Sequence, residues 1–117
     1  MYEPITWSFY LAGTLAANHT MNILVPWDIQ IVHVSLSGTN VNNAQLSLGI
    51  NGTTALYMAL KDFGDSSVPL EYERAAFVGA QYPRLADGTN LLLTLDFDGA
   101  AGTAIANATV VITALRG

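Results

Sequence analysis

Apolar and polar residues alternate along most of this chain with a period of two. Ile5, Trp7, Phe9 and Leu11 are separated by Thr6, Ser8 and Tyr10, the pattern of a strand with one buried face. Residues 20–25 form a second run, which stops at Pro26 because proline has no N–H to give a central ladder. In a third run, residues 28–37, the apolar phase slips. Ile29 and Ile31 share one face, whereas Val32, Val34 and Leu36 share the other. The slip predicts a bulge, or a strand buried on both faces, near Ile31–Val32. Leu46, Leu48 and Ile50 then alternate up to Asn51-Gly52, and residues 53–60 run back. Asn-Gly between two such runs predicts a hairpin over 46–60 with a type I′ turn.

The rest of the chain continues in this rhythm. Residues 61–70 and 81–90 carry Gly, Pro, Asp and Ser and are predicted loops. Residues 71–79 alternate weakly and are predicted as a strand, as are 91–97 and 108–115. No window of 11 or more residues has a 3.6-residue apolar period, and residues 61–64 have room for one helical turn at most. The expected fold class is all-β: an antiparallel β-sandwich, jelly-roll or Greek-key like, of seven or eight strands. Residues 1–117 are read as one domain, with 1–19 as a candidate N-terminal arm and first strand.

Composition narrows the function classes. Hydrophobic residues make up 51% of the 117, which excludes disorder, and the apolar stretches are too short for a membrane-spanning helix. Nine acidic residues against four basic ones, a net charge of −5, argue against nucleic acid as a partner. Cysteine is absent, so there is no disulfide and no thiolate nucleophile or ligand. The start, Met1-Tyr2-Glu3-Pro4, has neither a basic region nor an apolar core, so no secretory signal is expected and synthesis in a cytoplasm is. The sequons at Asn18, Asn51 and Asn107 then read as incidental.

Candidate chemistry is sparse. His19 falls in a predicted turn, and His33 has Ile31 and Ser35 where a strand-borne metal site would need a second ligand. Asp96 and Asp98, two apart on a predicted strand, share a face that could hold a cation, although a solvated face explains them as well. Asp62 and Asp65 match no EF-hand spacing. No G-x-S-x-G elbow, P-loop or dinucleotide fingerprint occurs. No catalytic, cofactor or metal residues are therefore expected, and the chain is read as a non-enzyme without cofactors.

The charge deficit carries more information. Charged residues are 11% of the chain, against about 25% in an ordinary soluble domain. A β-rich surface so poor in charge, with one lysine to defend its strand edges, is expected to be covered by other copies or by a host surface. A homo-oligomer follows, and Tyr2, Ile5, Trp7 and Trp27 are its candidate interface residues. Trp27, following Pro26 at a strand boundary, is also the ring best placed to stack on a sugar.

Three stretches then resemble phage virion modules: Leu24-Val25-Pro26 leading into a strand, the 46–57 hairpin around Asn51-Gly52-Thr53, and Leu85-Ala86-Asp87-Gly88-Thr89-Asn90 leading into residues 91–97. The closing strand to Leu115-Arg116-Gly117 fits them. The chain is similar to the small β-sandwich modules of tailed bacteriophages that serve as capsid decoration (cement) proteins or head-fibre domains. That resemblance covers most of residues 20–117 and leaves the first strand, residues 5–11, outside it. It implies a structural role on a capsid exterior, commonly as a trimer, with the major capsid protein as partner and a virion location. The alternative is a carbohydrate- or receptor-binding module of a tail or head fibre using Trp27.

Overall fold

The computed structural model describes residues 3–116. Nine strands follow one another: β1 (Glu3–Thr14), β2 (His19–Leu24), β3 (Ile29–Ser37), β4 (Gln45–Ile50), β5 (Thr53–Asp62), β6 (Leu70–Tyr72), β7 (Arg84–Leu85), β8 (Asn90–Asp96) and β9 (Ala106–Arg116). They form two antiparallel sheets facing each other, one in the order β1-β9-β3-β6 with β7 also on β3, the other β2-β8-β4-β5. The predicted antiparallel sandwich is therefore present. The ninth strand is β7, two residues within the predicted 81–90 loop and too short for alternation to register.

Period-two patterning places the core between the sheets. Ile31, Val34 and Leu36 of β3, Leu46 and Leu48 of β4, Leu91, Leu93 and Leu95 of β8, and Ile112 of β9 are all fully buried. Each such side chain contributes about 1.5–3 kcal/mol of burial. The register between β3 and β9 slips between Ile31 and His33, so the predicted bulge near Val32 is present.

Other expectations need correction. Residues 71–79 were expected to be a strand, but only Leu70–Tyr72 pairs, and two 3₁₀ turns follow at Arg74–Ala76 and Val78–Ala80. Phe77 between them is buried and takes the chain inward, while Gly79 at φ +75° turns it back. Asn51-Gly52 does join β4 to β5. Of the two, however, Gly52 alone has positive φ (+87°), so the turn is not type I′, which needs both residues there. His19 belongs to β2, opposite Leu95, and not to a turn. β5 runs on to Asp62, two residues into the predicted loop.

Candidate functional site

Long-range side-chain contacts fix the loops at one end of the sandwich. Asn40 donates through Nδ2 to the carbonyl of Ala104 (2.9 Å) and accepts at Oδ1 from the amide of Ala106 (3.0 Å). Asn43 Oδ1 accepts from the amide of Thr103 (2.8 Å). Asn107 Oδ1 accepts from the Tyr10 hydroxyl (3.1 Å) and the Gly13 amide (2.8 Å). An asparagine amide both donates and accepts, so each can satisfy two segments at once. Asn40 and Asn43, which look like turn punctuation in the sequence, tie their loop to residues 103–106, and Asn107 ties the start of β9 to the end of β1.

The candidate interface residues fall in different settings. Ile5 and Trp7 lie with Phe9 and Leu11 on the inner face of β1, opposite Ala114, Ile112, Val110 and Ala108 of β9. All four are only half-buried, on the strand that forms the open edge of its sheet. The outer face of the same sheet presents Thr6, Ser8, Tyr10, Thr109, Val111 and Thr113, with no charge among them. Trp27 is half-exposed, but the Arg116 guanidinium lies 4.3 Å from its ring centroid and is itself 3.5 Å from Glu3 Oε2. One ring face is thus taken by a cation, a contact between residues 89 positions apart that no local pattern announces. Tyr2 lies outside the described residues.

The candidate chemical residues separate. Asp96 ends β8, and its Oδ1 accepts from the amide of Asp98 (3.0 Å), which lies beyond the strand at φ +43°. Alternation has ended there, and the expected shared face does not form. Asp96 borders a groove with Ser47 and Thr94, whereas Asp98 borders another with Asp62 and Asp65. Asp62 accepts from Gln45 Nε2 (3.0 Å) and Asp65 from the Asn42 amide (3.1 Å). His33 Nε2 is 3.2 Å from Glu71 Oε1, a pair at the exposed rim of β3 and β6. Among the described residues, no three His, Cys, Asp or Glu side chains converge as metal ligands. Tyr72 donates to the Asp62 carbonyl (2.7 Å), and burial, with the Asp62 carboxylate second, holds its hydroxyl above the usual tyrosine range.

One concave region was missed by sequence reasoning. Between β5 and β7 a cleft of about 540 Å³ is lined by Gln30, Tyr57, Arg74, Gln81, Tyr82 and Arg84, among others. Its residues come from four separate segments, and two of them belong to the misread 71–79 stretch and the predicted 81–90 loop.

Comparison with known folds adds one relationship. No family model matches the chain, and no curated protein matches it. The fold is similar to that of a chain in the cyanophage Pam1 capsid asymmetric unit. The TM-score is 0.61 at 13% identity, over 99% of this chain and 85% of that one. At that identity the likeness is one of fold. It includes β1, the strand that lay outside the resemblance drawn from the sequence.

Proposed function

We propose that the chain is a non-enzymatic structural protein of a phage virion that binds the exterior of the capsid and reinforces the shell. The observation that carries this reading is the fold shared, over nearly the whole chain, with a chain of a phage capsid asymmetric unit. Counting β6 and β7 as two pieces of one edge strand, we read the two sheets as a jelly roll of four strands each. Residues 1–117 act as one domain, synthesised in the host cytoplasm and carried on the capsid surface with the major capsid protein as partner.

The surface supports that reading in two places. The outer face of the β1–β9 pair carries no charged side chain among Thr6, Ser8, Tyr10, Thr109, Val111 and Thr113, and the half-covered row Ile5, Trp7, Phe9 and Leu11 lies on the other side of the same edge. An edge strand bare of lysine, with apolar residues beneath it, suits packing against a copy or a host surface. Homotrimers seated on the shell would use this edge, with Ile5 and Trp7 central and Trp27 near the chain ends. A second reading, a receptor-binding module of a tail or head fibre, is favoured by the arginine-lined cleft.

Co-sedimentation tests the leading reading. Purified chain mixed with particles assembled without it is expected to sediment with them at a fixed ratio to coat subunits. Protein left entirely in the supernatant contradicts shell binding.

A further inference from the structure

The cleft between β5 and β7 is built from the few cations this chain has. Lysine and arginine together number four, and two of them, Arg74 and Arg84, line this one cleft. The ion pairs among the described residues are His33–Glu71 and Arg116–Glu3, so neither Arg74 nor Arg84 is paired there, and no carboxylate lines the cleft. Two unpaired like charges on one concavity repel each other, and an anion between them relieves that repulsion.

The walls are held in place. Phe77 is 3% exposed and anchors the 3₁₀ segment, with its ring centroid 6.3 Å from that of Tyr82. The Ala80 amide donates to the Phe77 carbonyl (2.9 Å), closing the turn that delivers Gln81. On the other wall the Ile31 amide donates to the Pro83 carbonyl (2.9 Å), and Arg84 stands opposite Gln30 in the β3–β7 register. Such support lowers the ordering cost of binding.

We propose that this cleft binds a carboxylate-bearing saccharide of the uronic-acid class. Guanidinium groups take carboxylates through paired N–H donors. The Tyr57 and Tyr82 rings offer apolar faces for the C–H side of a sugar, with hydroxyl tips for its polar rim. Gln30 and Gln81 each both donate and accept, which matches sugar hydroxyls. The volume lies in the range of small-ligand sites. An acidic peptide fits less well. Its carboxylates would engage Arg74 and Arg84 but leave the Tyr57 and Tyr82 ring faces without the flat C–H partner that a sugar supplies. The proposal is independent of shell binding.

Calorimetric titration of the purified full chain with trigalacturonate, maltotriose and hexaglutamate tests it. Trigalacturonate is expected to bind saturably, with maltotriose and hexaglutamate at least tenfold weaker. Arg74→Gln and Arg84→Gln are each expected to weaken trigalacturonate about tenfold without changing Tm, since both side chains are exposed. Absence of saturable trigalacturonate binding, equal binding of maltotriose, or indifference to both substitutions overturns the proposal. Hexaglutamate binding as tightly as trigalacturonate also overturns it and assigns the cleft to an acidic protein segment.

Discussion

Ser66 and Ser67 sit at φ +53° and +65°, consecutive left-handed residues in the turn closed by the Val68 amide on the Asp65 carbonyl (3.0 Å). That conformation costs a residue bearing a Cβ about 1–2 kcal/mol, and Asn-Gly relieves most of it. The turn's other bonds, from the Ser66 and Ser67 amides to the Asn40 and Gly38 carbonyls, survive any side-chain change. Ser66→Asn/Ser67→Gly is therefore expected to stabilise the fold by about 1 kcal/mol, after Gly's entropy cost. Thermal melting checks this, and an unchanged or lower Tm contradicts it. The paired positive φ that Asn51-Gly52 advertises occurs instead at two serines, whose positive φ is imposed by the amides they present to Asn40 and Gly38. Propensity reads the local preference of a residue and is blind to a partner 20 or more positions away. The Arg116 guanidinium over Trp27 escapes sequence reading for the same reason, because its residue lies at the other end of the chain.

Among the elements, the long alternating strands were legible and the short ones were not. β3, β4, β8 and β9 each place a row of fully buried side chains, so their period survives in the sequence. β6 and β7 are held by neighbours more than by their own pattern, and the cleft beside β7 stayed invisible with it. Tyr72 of β6 shows the kind of contact involved: its hydroxyl ties this short strand to the end of β5 through the Asp62 carbonyl (2.7 Å). Tyr72→Phe is expected to lower stability near neutral pH by about 0.5–1.5 kcal/mol, the worth of one hydrogen bond. Burial first, and Asp62 second, raise the folded hydroxyl above its unfolded value of 10.0. The contribution is then complete below about pH 10 and lost as pH rises through the higher folded value. Denaturant titrations of both proteins from pH 7 to pH 11 should show their difference shrinking only at the alkaline end. A difference constant across that range contradicts the assignment.

At the scale of the whole molecule, what the sequence made plain was the sandwich and the poverty of charge. How the sheets are ordered, and which edge is left half-covered, depend on pairings such as β1 with β9, residues about a hundred positions apart. If the β1 edge and its uncharged outer face pack against a copy, a lysine there must be desolvated or expelled. Thr6→Lys is exposed in the single chain and is expected to convert a trimer to a monomer in light scattering while leaving the monomer's fold intact. A wild-type chain monomeric at micromolar concentration contradicts the oligomer outright. Shell reinforcement makes a sharper claim, because a protein that binds only assembled coat stabilises the assembly by mass action. The direct measurement is the rupture temperature of particles lacking the chain, before and after purified chain is added back. A rise of several degrees that saturates with occupancy is predicted, and an identical rupture temperature with the chain bound at full occupancy would contradict reinforcement.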